Sequence, residues 1–195
     1  MVSPRIGVLA LQGDVREHVR MLVGIGAEAL PVRRSSELEA VHGLVVPGGE
    51  STAMIRLLRS FDLLGPLRAA VAGGLPVLGT CAGLILLADR IVGGEDGQEG
   101  IGGLDVTVRR NAFGRQIDSF DADLDVPVLG PEPVRAAFIR GPVIEETGSG
   151  VEVLASLPDG RAVAVRQGPL IGLSFHPEIT GEDRFHRLLR DVVRG

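Results

Sequence analysis

Leu75-Pro-Val-Leu-Gly-Thr-Cys-Ala-Gly-Leu-Ile-Leu-Leu-Ala88 is the stretch on which the reading of this chain turns. Pro76–Leu78 is a short apolar run, as expected of a strand covered on both faces. Leu84–Ala88 reads as an apolar helix. Between them, Gly79-Thr80-Cys81-Ala82-Gly83 puts glycines two residues before and two after a cysteine, the spacing of a sharp strand-to-helix turn that exposes its central side chain. A buried strand feeding directly into a helix is the repeating unit of a parallel α/β sheet.

Upstream, the same alternation recurs. Ile6–Leu11, Ala27–Val32 and Gly43–Val46 read as strands. Val15–Ile25 carries apolar residues at Val15, Val19, Leu22 and Val23 among Arg16, Glu17 and Arg20, which is helical spacing. Glu37–Ala40, Thr52–Arg59 and Pro66–Ala72 complete the helices of this half. Strands separated by helices at this spacing imply a parallel sheet with right-handed crossovers and helices on both faces, a three-layer α/β fold. Downstream of the glycine-rich acidic loop Gly93–Gly103 the pattern changes. Val106–Arg109, Arg135–Ile139, Val151–Leu157, Ala162–Arg166 and Leu170–Phe175 are strand-like and joined in part by short turns, so antiparallel hairpins are expected to be added to the sheet. Glu182–Val193 reads as a closing amphipathic helix. With neither repeat nor linker, one domain over 1–195 is expected.

Composition excludes several functions. A net charge of −5 is wrong for a protein whose main ligand is nucleic acid. No apolar run approaches the roughly 20 residues of a membrane span, and Met1–Pro4 leads straight into a strand pattern rather than a signal peptide. One cysteine allows no intrachain disulfide, so a cytoplasmic location is expected. Gly24-Ile25-Gly26-Ala27-Glu28-Ala29 resembles a dinucleotide fingerprint but leaves a helix and enters a strand, the reverse of the required order. No lysine follows a glycine-rich loop, and one cysteine with four scattered histidines offers no metal-ligand spacing, so no metal is expected.

Ligands of such sheets bind beyond the carboxyl ends of the strands. Four segments fall there: Leu11-Gln12-Gly13, Pro47-Gly48-Gly49-Glu50-Ser51, the Cys81 turn, and Ser174-Phe175-His176-Pro177-Glu178. A lone cysteine is most often a small buried hydrophobe. At a helix N-terminus, however, partial positive charge and free N–H groups favour the thiolate, and the Ala82 N–H is placed to donate to an oxyanion. His176 is then the expected base. Pro177 biases it toward extended backbone, in which residues two apart share a side, setting Glu178 beside it as the orienting carboxylate. His18 and His186 on charged helices, and His42 in a turn, read as solvated or packing residues. Pro47–Ser51 fits either a turn capped by Ser51 or a loop whose N–H groups complete an oxyanion hole.

Taken together, Pro47–Ser51, Gly79–Gly83 and Phe175–Glu178 resemble the class I (triad) glutamine amidotransferases. Leu9-Ala10-Leu11-Gln12-Gly13, Arg110-Asn111-Ala112-Phe113-Gly114-Arg115-Gln116 with Asp118-Ser119-Phe120, and Phe138-Ile139-Arg140 narrow this to the glutaminase subunits of pyridoxal 5′-phosphate synthase. The resemblance implies a flavodoxin-like sheet and hydrolysis of L-glutamine to glutamate and ammonia by Cys81, His176 and Glu178. It further implies glutamine contacts from Gly49, Glu50, Ser51, Arg110, Ile139 and Arg140, and an oxyanion hole from the backbone of Gly48, Gly49 and Ala82. The partner it implies is a barrel-shaped synthase subunit in a large hetero-oligomer, with Gln12 a candidate for sensing its docking. No cofactor is implied in this chain: all 20 basic residues are arginine, so no lysine exists to hold pyridoxal phosphate as a Schiff base. The readings left open are a glutaminase of another pathway such as histidine biosynthesis, a cysteine hydrolase of peptides or aldehydes on a similar sheet, and a catalytically silent flavodoxin-like binding module.

Overall fold

The structure is a computed structural model, described here for residues 3–94, 99–110 and 119–195. Its frame is laid down by the first half of the chain: β1 (Arg5–Leu9), α1 (Val15–Gly24), β2 (Glu28–Val32), α2 (Ser35–Leu38), β3 (Gly43–Val46), α3 (Ser51–Ser60), α4 (Leu64–Ala72), β4 (Val77–Thr80) and α5 (Ala82–Leu87). After β5 (Ala88–Val92) the chain is mainly strands: β6 (Leu104–Arg109), β7 (Ser119–Leu124), β8 (Val134–Ile139), β9 (Val143–Thr147), β10 (Glu152–Ser156), β11 (Ala162–Gln167) and β12 (Leu170–Leu173). Two helices, α6 (Pro177–Thr180) and α7 (Arg184–Arg194), end it.

The seven-stranded main sheet has the order β10-β11-β12-β4-β3-β1-β2. From β12 to β2 every pairing is parallel, while β10, β11 and β12 pair antiparallel. Both faces are covered, which is why the central strands are apolar throughout rather than alternating. Leu44, Val46 and Val77 point into a core shared with Met54, Leu58, Leu67 and Leu84 of α3, α4 and α5. Val45 and Leu78 point the other way, into a core with Leu22 of α1, Phe185 and Leu189 of α7, and Phe138 and Phe175. β2 is an edge, and there Pro31 is tolerated because its missing N–H costs no ladder bond.

The expected hairpins are found only in part. β10, β11 and β12 extend the main sheet, but Val106–Arg109 and Arg135–Ile139 do not join it. They belong to a β5-β6-β9 sheet and a β7-β8 pair that stand apart from it. β5, β7 and β9 were not expected at all. Asp89-Arg90 and Glu145-Glu146 place adjacent charges within two of them, so no apolar run announces them.

Candidate active site

β12 lies parallel to β4 with Leu173 opposite Thr80, so the carboxyl ends of the two strands sit side by side. One leads into Cys81 and the other into His176. Cys81 adopts φ 50° and ψ −103°, a left-handed conformation that costs a non-glycine residue about 1–3 kcal/mol. The surroundings enforce it. The Cys81 N–H donates to the Leu173 carbonyl at 2.8 Å. The start of α5 presses so closely on the end of β3 that a Cβ on Gly83 would lie 2.0 Å from the Val46 carbonyl oxygen. One on Gly79 would lie 2.7 Å from the Gly83 carbonyl. The flanking glycines are therefore a packing requirement of the turn, and the turn aims the thiol into a cleft.

His176 is pinned by its N–H to the Ala137 carbonyl at 2.9 Å. Its contact with Glu178 is present, Nδ1 to Oε1 at 2.7 Å, but not through strand alternation. Pro177 opens the single-turn helix α6, His176 is its N-cap, and Glu178 lies in its first turn. Proline suits the first helical position because its missing N–H would be unpaired there anyway. A second carboxylate, Asp14 Oδ2, lies 3.4 Å from the same Nδ1. Burial alone favours neutral His176, but hydrogen bonds with Asp14, Cys81 and Glu178 outweigh it and push the imidazole pKa up to about 12. With Nδ1 committed to carboxylates, Nε2 is left for the thiol. Burial raises Glu178 above the ordinary carboxylate range, against the opposing pull of His176. Ligating atoms of Asp14, His176 and Glu178 fall within 4.8 Å of one another, a juxtaposition that the histidine and cysteine spacing did not reveal.

A cleft of about 500 Å³ opens above these groups, lined by Asp14, Cys81 and His176 together with Gly49, Glu50, Ser51, Arg110, Ile139 and Arg140. The N-cap of α3 is Glu50 rather than Ser51: its carboxylate accepts from the N–H groups of Thr52 at 3.0 Å and Ala53 at 2.7 Å. Slight burial opposes ionisation of Glu50, yet these amides, the Thr52 hydroxyl and Arg110 hold its pKa below the usual value. Ser51 is left with a buried hydroxyl that has no partner among the described residues. Arg110 donates to Glu50 at 3.1 Å and to Thr52 Oγ1 at 3.1 Å. Gln12 accepts from the Glu50 N–H at 2.9 Å, tying the loop after β1 to the loop after β3. Gly48 packs against the imidazole: a Cβ there would lie 2.4 Å from His176 Cε1. Ala82 is buried at the start of α5.

Three polar groups beside the site escaped the sequence reading. Asp14 follows Gln12-Gly13 at the carboxyl end of β1, the location that marked its neighbours. Of the two readings for His18 and His186, solvated or packing, the structure gives the second: both are fully buried. The signal was their spacing: His18 falls between Val15 and Leu22 on the inner face of α1, and His186 sits beside Phe185 and one turn from Leu189. Asn111–Gln116 and Asp118, on which the subfamily resemblance partly rests, lie outside the described residues. Among the described residues no helix is long and apolar enough to cross a membrane.

A family model described as the SNO glutamine amidotransferase family matches residues 8–194. The chain is 64% identical over 194 residues to the pyridoxal 5′-phosphate synthase subunit PdxT of Parafrankia sp. (strain EAN1pec), covering 100% of this chain and 95% of that protein. It is 63% identical over 191 residues to the subunit of the same name from Clavibacter sepedonicus, covering 98% and 91%. A crystal structure described as a glutamine amidotransferase matches with a TM-score of 0.91 and 46% identity, covering 97% of this chain and 99% of that one. On the strength of these matches, which run through the elbow, the His176 segment and the sheet that joins them, the chain belongs to the SNO glutamine amidotransferase family.

Proposed function

We propose that the chain, acting as one domain, hydrolyses L-glutamine to L-glutamate and ammonia and passes the ammonia to a pyridoxal 5′-phosphate synthase subunit. The observation that carries this reading is that Cys81 and the hydrogen-bonded pair His176–Glu178 converge on one cleft of amino-acid size. The Cys81 thiolate attacks the side-chain amide carbon, and the tetrahedral oxyanion is held by backbone N–H groups of Gly48, Gly49 and Ala82. His176 gives its proton to the amide nitrogen, the C–N bond breaks, and ammonia leaves a glutamyl thioester. His176 then takes a proton from water as it attacks the thioester, and glutamate departs. Glu178 supports the imidazolium in both half-reactions.

Glycine backbone, the Ser51 hydroxyl and the Glu50 carboxylate suit the amino-acid head group. Arg110 is engaged by Glu50, whereas Arg140 has no ion-pair partner among the described residues, so Arg140 is the arm for the α-carboxylate. Arg140→Ala is expected to raise KM for glutamine about 10- to 100-fold with kcat little changed, the loss of one charge-assisted hydrogen bond made equally in ground and transition states. Steady-state kinetics with the synthase subunit present measures it.

The partner is taken to be a barrel-type synthase subunit in a large hetero-oligomer. Ile139 and Ile179, 40% and 51% exposed, sit on the rim of the cleft and suit a protein contact there. Gln12, bridging two loops on that face, is the sensing candidate: a partner that moved it would move Gly49 and Glu50. The test is ammonia release from glutamine with and without the synthase subunit. Stimulation by that subunit supports the reading, and no release under either condition sinks it.

A further inference from the structure

Behind the triad runs a file of buried polar groups that the hydrolytic steps do not use. His18 of α1 and His186 of α7 are both 0% exposed and touch through His18 Nδ1 and His186 Nε2 at 2.8 Å. The other nitrogen of His18, Nε2, lies 3.3 Å from Thr80 Oγ1 and 3.5 Å from Glu178 Oε2. Glu178 Oε2 and His186 Nδ1 are the two ends of this file, and neither has a hydrogen-bond partner among the described residues. Glu178 turns its first oxygen to His176, so its second, buried beyond water, depends on whatever His18 presents.

The tautomers follow from these contacts. A lone pair on His18 Nε2 would face the Glu178 carboxylate and repel it, so Nε2 carries the proton. Nδ1 is then the acceptor, and His186 must donate from Nε2, which leaves His186 Nδ1 as an unprotonated orphan. This is the more tolerable orphan, being a neutral acceptor. Burial first, then the mutual effects of His186 and His176, hold His18 well below its ordinary pKa. Burial likewise lowers His186 to about 4, against Asp183 and Glu182 acting from the segment that leads into α7. Burial thus favours the neutral form of both rings.

We propose that neutral His18 is a positioning residue for the amidotransferase reaction, presenting Nε2–H to the outer oxygen of Glu178 and holding that carboxylate ionised and turned toward His176. At 3.5 Å the contact is longer than a settled hydrogen bond, and it is expected to close as charge develops on the imidazole. The groups facing His18 are His186 from α7, Glu178 and His176 from α6 and its cap, and Thr80 from β4. The inference rests on the reading of Glu178 as the triad carboxylate.

The test compares His18→Gln, whose amide N–H₂ can occupy the place of Nε2, with His18→Asn, which reaches only the place of Nδ1, and with His18→Leu. Two readouts are taken: kcat for ammonia release from glutamine with the synthase subunit bound, and the pH dependence of Cys81 alkylation by iodoacetamide in the chain alone. Asn and Leu are expected to lose about 10- to 100-fold in kcat with KM kept, and to shift the acid limb of alkylation upward by about one pH unit, because the imidazolium is less well supported. Gln is expected to restore both. Gln no better than Asn, or Leu with wild-type kcat and profile, overturns the proposal. Nitrogen shifts of histidine-labelled wild-type protein give a check that needs no variant: a His18 protonated at Nδ1 instead of Nε2 also overturns it. A wild-type chain that releases no ammonia would fault the functional reading instead.

Discussion

Cys81→Ala is expected to abolish glutamine hydrolysis, in the free chain and with the synthase subunit bound, while leaving the fold in place. Loss of a nucleophile of this kind costs about 10⁴-fold or more in kcat, because the thioester route disappears and only binding and the oxyanion donors remain. The fold should tolerate the change. The side chain is small, its backbone is held at φ 50° by the Leu173 bond and the packing of α5, and alanine is strained there no more than cysteine. Melting within a few degrees of wild type, with ammonia release at background, is the expected pair of results. Because the chain has a single cysteine, a covalent glutamine-analogue electrophile must add one equivalent to wild type and none to the variant, read by intact mass. Ammonia release within tenfold of wild type would sink the assignment of Cys81.

The site was legible where local geometry makes the chemistry, and less so where tertiary packing does. The Cys81 elbow could be read because two glycines at fixed offsets have a steric cause, visible in the structure as the close approach of Gly83 to Val46. The parallel half of the sheet was legible for a similar reason: strands buried on both faces are apolar runs, and those runs lie within a few residues of β1, β2, β3 and β4. The contact of Glu178 with His176 was expected for a partly mistaken reason. Two-residue alternation and the first turn of a helix both bring it to His176, and Pro177 selects the helix. β7 carried a usable signal, Phe120, Ala122 and Leu124 alternating with acidic residues, whereas β5 and β9 carried little. Asp14 could have been marked by its place at the carboxyl end of β1, and His18 and His186 by spacing that buries them, but their meeting beside the site depends on α1 and α7 packing on the same face of the sheet, which no local pattern encodes.

Glu178→Gln separates the function of the carboxylate from its cost. Burial raises Glu178 above its ordinary pKa, so in the folded state the ionised form is disfavoured. A carboxyl group whose folded pKa is raised contributes stability below its unfolded value of about 4.3, and that contribution is lost as pH rises through the folded pKa. At neutral pH the Glu178 charge is therefore a burden on the fold, offset by the imidazolium it faces. His176, raised to about 12, stabilises fully below its unfolded value near 6.5 and loses that contribution as pH climbs toward 12. Glutamine removes the buried charge and keeps an oxygen for His176 Nδ1–H, but its N–H₂ then faces the Nε2–H of His18, a buried donor against a donor, so the melting temperature should hold or fall slightly. Activity should not survive so well. Without the negative charge the imidazolium is less supported in both half-reactions, and kcat is expected to fall about 10²- to 10³-fold. The loss should stop short of that for an isolated triad carboxylate because Asp14, 3.4 Å from the same nitrogen, still offers a charge. Asp14→Asn alone should therefore cost little, and the double variant more than the product of the two single losses, as expected of groups that share one partner. Kinetics of the four proteins with the synthase subunit bound, beside their melting curves, decide it. A Glu178→Gln protein with wild-type kcat would remove Glu178 from the mechanism, and strictly multiplicative losses would remove Asp14 as its understudy.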